Sequence, residues 1–226
     1  VLLDEEQSFA LAADTDPLAA ISCGIAGLAA WLSVTDRGRI QEGDKVVVTG
    51  ATGASGRLAI QIAKLRGASQ IIAIGRDAAG LQRARELGAT DVIRFHGPMH
   101  AHQTELEHLS DGGHDLIIDF TWGYPAMSAI MSAAKGARLV QVGNAASVGL
   151  GVTASDLRAR QLDLLGFSIF NVPLVQRERA FNELLGHVES GEIQLDTEAV
   201  ALDDVPQAWA RQGSSPGTKL VVAVGS

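Results

Sequence analysis

The stretch KVVVTGATGASGRLAIQIAK (Lys45–Lys64) sets a run of valines, a glycine-rich turn and an amphipathic segment in immediate succession. No polar residue interrupts the valines, which suits a strand covered on both faces. Beyond the turn, Leu58, Ile62 and Leu65 recur at helical spacing, and Gly67 follows as a helix stop. Between strand and helix stand Ala51, Thr52, Gly53, Ala54, Ser55 and Gly56. Binding a dinucleotide at such a place takes a tight turn, a backbone that lets a pyrophosphate approach, and free helix N–H groups facing it. Gly53 suits the approach and Gly56 suits close packing of the helix on the strand.

Working outward, short apolar runs alternate with helical patterns. Strands are expected at Lys45–Thr49, Gln70–Ile74, Asp91–Phe95, Asp115–Asp119, Arg138–Val142 and Leu162–Ile169. A helix runs from Arg57 to Arg66, a second opens at Pro125 and continues to Lys135 with Gly136 as its cap, and a third carries Phe181, Leu184, Leu185 and Val188 between Pro173 and Gly191. Strands and helices in alternation make an α/β fold with a doubly wound, six-stranded parallel sheet, expected order 3-2-1-4-5-6. Residues 1–44 hold the apolar helix pattern DPLAAISCGIAGLAAWLSV ahead of the first strand. Residues 194–226 read as a short helix, DDVPQAWARQ, and a last strand, TKLVVAV.

Composition narrows the function. Hydrophobic residues make up 46% and aromatics 4%, a mix typical of parallel α/β folds. The formal charge of -8 argues against nucleic acid or an anionic membrane as partner. The single cysteine, Cys23, excludes an internal disulfide and fits a reducing compartment. No apolar run reads as long enough to span a bilayer and no signal peptide opens the chain, so a cytoplasmic protein with a small-molecule substrate is expected. Val1 as first residue fits a trimmed methionine and a fragment equally.

The end of the second strand is where an acid would grip an adenosine ribose. Here it reads AIGRD: Gly75 stands at the acidic position and Arg76 follows. A small residue before an arginine leaves room for a 2′-phosphate and offers it a charge-assisted contact, favouring NADPH over NADH. Asp77 is the competing feature, because a shift of one residue would bring a carboxylate near the ribose.

Across nearly its whole length the chain resembles the zinc-independent medium-chain reductases of the quinone oxidoreductase type. The carrying motifs, in order, are GIAGLAAWLSVTDRGRIQEGDKVVVTGATGASGRLAIQIAKLRGA, ARELGATDVI, GGHDLIIDFTWG, GARLVQVG and GTKLVVAV. The turn also fits a short-chain reductase, but that family's turn lies close to the N-terminus and its Y-x-x-x-K pair is missing. The lone Tyr124 has Ser128 where the lysine should stand. The medium-chain resemblance implies a Rossmann domain over 45–193. It also implies a segment and helix over 1–44 leading from an N-terminal catalytic domain outside the chain, and a segment over 194–226 returning to it.

Further cofactor residues are implied on the same rim. Gly143, Asn144 and Ser147 follow the fifth strand where the family's nicotinamide is contacted, and Asn171 is expected to end the sixth strand. Asp119 closes the fourth strand, either as a titrating acid or as an anchor for the loop FTWGYPA. Two positions depart from the family pattern: Ala29 replaces a threonine on the nicotinamide side, and Gly80 replaces a frequent lysine.

The catalytic residues are left unassigned, and no metal site is expected. Cys23 reads as a small buried residue, with Ile25 nearer the position of a zinc ligand in related alcohol dehydrogenases. The histidines from His96 to His114 keep no ligand spacing, and most are expected on a solvated loop and helix after the third strand. The resemblance thus implies an NADPH-dependent oxidoreductase, or its cofactor domain, passing hydride to a quinone, an activated C=C or a carbonyl. Two alternatives stand beside it: a non-catalytic NADPH-binding sensor or interaction module, and a fragment of a zinc alcohol dehydrogenase. The apolar sixth strand, as an edge, invites pairing into a homodimer.

Overall fold

Strand β1 (Lys45–Thr49) splits its side chains between two cores: Val46 and Val48 join one, Val47 the other. The alternation follows from the two-residue period of a strand, and both faces are apolar because helices cover both. The computed structural model, which describes residues 8–96, 99–213 and 217–224, builds the sheet outward from this strand. β2 (Gln70–Gly75) and β3 (Asp91–Arg94) lie to one side; β4 (His114–Asp119), β5 (Ala133–Gln141) and β6 (Asp163–Gly166) lie to the other. The order is β3-β2-β1-β4-β5-β6, all parallel. This is the expected doubly wound sheet.

One face is covered by α1 (Pro17–Arg37), α2 (Ala54–Leu65), α3 (Ala78–Leu87) and α7 (Leu174–Glu189). The other is covered by α4 (Met99–Ser110), α5 (Gly123–Met131) and α6 (Ala154–Arg160). Helix α2 ends as its sequence predicts: Gly67 adopts φ +81° and Ala68 N–H closes on Ala63 O at 3.0 Å, satisfying a carbonyl of the last turn. Helix α1 starts on Asp16, whose carboxylate accepts from the N–H groups of Leu18 and Ala19. It is irregular at Gly24, where ψ is -121°.

Several expectations are corrected. By length and composition α1 is able to cross a membrane, contrary to the reading that no apolar run is long enough; 61% of its most apolar window is buried within the fold, where Leu28, Trp31 and Leu32 are core residues. Helix α5 stops at Met131 rather than Lys135, and β5 begins at Ala133. Gly136 is no helix cap: it takes φ +82° inside β5, where the register with β4 breaks between His114 and Leu116. The sixth strand is shorter than Leu162–Ile169, since only Asp163–Gly166 finds partners on β5. Asn171 consequently lies in a 3-10 turn, Ile169–Asn171, and does not end a strand. A strand not anticipated, β7 (Thr197–Ala201), pairs in parallel with β8 (Lys219–Ala223) in a separate two-stranded sheet. Between them runs α8 (Val205–Gly213).

The histidines divide. His96 and His108 are exposed, but His102 is buried against the ring of Phe95, and His114 lies fully buried in β4. The side chain of His100 lies outside the described residues. The Nε2 of His114 meets Ala129 O at 2.9 Å, and burial lowers its pKa from 6.5 to about 4. A folded pKa below the unfolded one means that acid favours the unfolded chain, which takes the proton first. Stability is therefore expected to fall as pH drops from 6.5 toward 4, by up to about 3 kcal/mol. Urea titrations near neutral pH and at about pH 4.5 measure this slope. His114→Gln keeps a donor for Ala129 O without a titrating ring and should flatten the slope; identical slopes would clear His114 as its source.

Candidate cofactor site

The turn between β1 and α2 is held from behind by Ala51 N–H on Ile74 O at 3.0 Å and by Gly53 N–H on Gly50 O at 3.1 Å. Its two later glycines have different reasons. A Cβ on Gly56 would strike backbone, with Ala51 Cα at 2.8 Å, so this glycine lets helix and strand approach. A Cβ on Gly53 would meet only Gly50 O at 3.5 Å, so here the space outside is open. Helix α2 receives no side-chain cap and no acid in its first turn. Its first N–H groups thus keep their hydrogen-bonding capacity and partial positive charge for an anion. The Ser55 hydroxyl donates to Ala26 O at 3.2 Å, which ties the turn to α1.

At the end of β2, Gly75 is buried and Arg76 is exposed. Among the described residues the Arg76 guanidinium has no hydrogen-bond or ion-pair partner; its carbonyl accepts from Arg94 Nε at 3.1 Å. Asp77 is the N-cap of α3 and its carboxylate accepts from Gly80 N–H at 2.5 Å. That bond turns the carboxylate toward the helix, and Asp77 is not among the residues lining the cavity described below.

Asp119 anchors the next loop. Its carboxylate accepts from Thr49 Oγ1 at 2.5 Å, from Thr121 N–H and Oγ1 at 3.1 Å each, and from Trp122 N–H at 3.0 Å. Burial pushes its pKa up, and these hydrogen bonds oppose the rise. Trp122 carries backbone strain, with φ 58° and ψ -168°, a region otherwise kept for glycine. The strain turns the chain so that Gly123 and Tyr124 reach the same opening as the glycine turn.

These pieces surround a cavity of about 880 Å³ at the carboxyl ends of β1, β2, β4 and β5. That is the crevice in which open α/β sheets hold ligands. Of the expected residues, Thr52, Gly53, Ser55, Gly56, Gly75, Arg76 and Ser147 line it. Ala51 is buried behind the turn, Ala54 lies outside the lining, and Asp119 sits beneath the wall. Gly143 is packed on Phe120, where a Cβ would meet the carbonyl oxygen at 2.6 Å, and Asn144 lies outside the lining. Asn171 is exposed on its 3-10 turn, also outside it.

The sequence reading missed Phe95, Phe120, Thr121, Tyr124 and Leu150 in the lining. Phe120 to Tyr124 directly follow the fourth strand, which was signal enough. Phe95, at the end of the third strand, had the same signal; Leu150 had none, since it arrives from a separate connection.

Comparison with known proteins places the chain in a family. The profile of the zinc-binding dehydrogenase family matches residues 54–189, more than half of the chain. The chain belongs to that family. A component of the phenolphthiocerol/phthiocerol polyketide synthase of Mycobacterium tuberculosis is 28% identical over 91% of this chain and 10% of its own length. Prostaglandin reductase 1 of Bos taurus is 26% identical over 93% of this chain and 67% of its own length. The chain thus spans about a tenth of the first of these relatives. CurA from Vibrio vulnificus, solved with NADPH, shares the fold with a TM-score of 0.77 at 23% identity, over 90% of this chain and 63% of CurA. Acetophenone reductase from Geotrichum candidum, solved with NAD, does so with a TM-score of 0.77 at 20% identity, over 96% and 58%.

The matched part is the cofactor-binding half of a medium-chain dehydrogenase/reductase. Although the family is described as zinc-binding, no group of three His, Cys, Asp or Glu gathers as a metal site among the described residues. Cys23 is fully buried, and burial pushes its thiol up to about 12, which makes it a packing residue rather than a thiolate ligand. Ile25, on the same helix, is exposed.

Proposed function

We propose that this chain is the NADPH-binding part of an oxidoreductase that passes hydride to a quinone or to an activated C=C or carbonyl of a small molecule. The observation that carries the reading is the unpaired Arg76 beside Gly75, on the rim of a cavity whose floor is an uncapped helix N-terminus. The first N–H groups of α2 would take the pyrophosphate, and Arg76 the 2′-phosphate. Bound NADPH would supply the hydride. The residues here would position it and exclude water, because the described lining holds no histidine, carboxylate, lysine or cysteine to act as a general base. Zinc has no part in this reading, nor does nucleic acid or a membrane. A homodimer paired along the edge strand β6 belongs to the same proposal, and native mass reads it.

Titration of the protein with NADPH and NADH tests it. NADPH is expected to bind at least about tenfold more tightly, and Arg76→Ala should remove most of that preference, a charge-assisted contact being worth about 1.5–3 kcal/mol. Failure to bind either cofactor would sink the proposal. An unchanged preference in Arg76→Ala would sink only the role of that side chain.

A second reading, a cofactor-binding sensor or interaction module without turnover, has Ala29 on its side. It is half-buried in the core and offers no hydroxyl where the family pattern has one. Turnover of quinones by a protein that binds NADPH would exclude it.

A further inference from the structure

Gly75 and Gly80 share a property that their backbones do not explain. Neither adopts a positive φ, so neither position asks for glycine on conformational grounds. Gly80 even lies inside helix α3, where glycine costs about 1 kcal/mol relative to alanine. What both positions lack is room, and one side chain takes it. A Cβ on Gly75 would stand 2.5 Å from Thr52 Cγ2 and 3.2 Å from Leu81 Cδ2. A Cβ on Gly80 would stand 2.8 Å from Thr52 Cβ and 2.9 Å from its Cγ2. Real Cβ atoms do not approach that closely, so the Thr52 side chain fills the volume that two glycines vacate.

Thr52 also lines the cavity, half-buried, and its hydroxyl makes no hydrogen bond among the described residues. The glycine turn therefore reaches across to the end of β2 and occupies the spot from which a carboxylate would grip an unphosphorylated ribose.

We infer that Thr52 is a specificity-determining residue. It bars an acid at position 75 and a long cation at position 80, and so leaves recognition of the adenosine ribose to Arg76. The inference rests on the NADPH reading above. It carries a consequence that the reading alone lacks: exchanging the β2 terminus cannot by itself convert the cofactor preference, because position 52 must change with it.

The test is a set of three variants, Gly75→Asp, Thr52→Gly and the two combined. Each is measured for thermal unfolding without cofactor and for NADPH and NADH affinity by calorimetry. Gly75→Asp alone should lower the melting temperature and weaken NADPH without tightening NADH. The double variant should recover the melting temperature lost by Gly75→Asp and bind NADH roughly tenfold or more tighter than that single variant does. Purely additive effects of the two substitutions on melting temperature would overturn the interlock. A Gly75→Asp protein that gains NADH unaided, with its stability intact, would overturn it as well. Because unfolding is read without cofactor, these outcomes are distinct from a wild-type protein that binds neither nucleotide, which would overturn the site reading and this inference together.

Discussion

Gly56→Ala is expected to abolish nucleotide binding and to cost about 3 kcal/mol of stability. The added methyl would meet the carbonyl carbon of Gly50 at 2.9 Å and Ala51 Cα at 2.8 Å. Both belong to backbone pinned to its neighbours: Ala51 N–H is bonded to Ile74 O, and the Gly50 carbonyl accepts from Gly53 N–H. Neither contact is the free end of a side chain, so relief requires pushing α2 away from the sheet. That motion removes the first-turn N–H groups from the cavity. Melting temperature and NADPH titration report the two consequences separately. Near-normal values for both would show that the turn yields more readily than its hydrogen bonds imply. Gly53→Ala is the control, with open space outside its Cβ; it should fold normally and lose affinity only.

Asp119→Ala carries the second large effect, about 4 kcal/mol, since it strands the N–H groups of Thr121 and Trp122, at about 1–3 kcal/mol for each unmet donor. The loop those donors hold forms one wall of the cavity, so NADPH affinity should fall with stability. Asp119→Asn keeps one acceptor oxygen and should lose about half as much. The sign of its titration separates this residue from His114. Burial raises the Asp119 pKa above its unfolded value, so on acidification the folded state takes this proton first and gains from it. Of these two buried groups, His114 therefore weakens the fold in acid and Asp119 does not. A variant Asp119→Asn that becomes more acid-stable than the wild type would contradict that assignment.

The sheet and the glycine turn were legible because their signals are local. KVVVT, QIIAI and DLIID are apolar runs bounded by punctuation, and their order follows from topological rules for parallel sheets. The errors arose where two structures ask the same thing of a residue. Gly136 has a positive φ, which a helix cap and a break in strand register both need, and only the pairing of Ala133 with His114 decides between them. LDLLGFSI is apolar throughout most of its length, yet pairing stops at Gly166 because Gln141, its partner, is the last residue of β5. TEAVA shows little strand propensity; β7 exists because β8 comes alongside it from a distant part of the chain. In the site, Thr52 was read for its backbone alone. Its steric role depends on two glycines that a sequence cannot bring next to it.

The two cores differ in the stretch of chain that builds them. The side carrying α4, α5 and α6 is closed by elements that follow one another between Met99 and Arg160. The opposite side needs α1 and α7 together: Leu184 fits against Gly27, where a Cβ would stand 2.8 Å from its Cδ2, and Phe181 and Leu185 share that core with Leu28 and Trp31. During synthesis the sheet is therefore complete, with one face finished, before α7 leaves the ribosome. The side of α1 that carries Gly27, Leu28 and Trp31 waits for a helix not yet made. That interval, set by topology rather than by any single contact, is when the nascent chain most needs shielding from its neighbours.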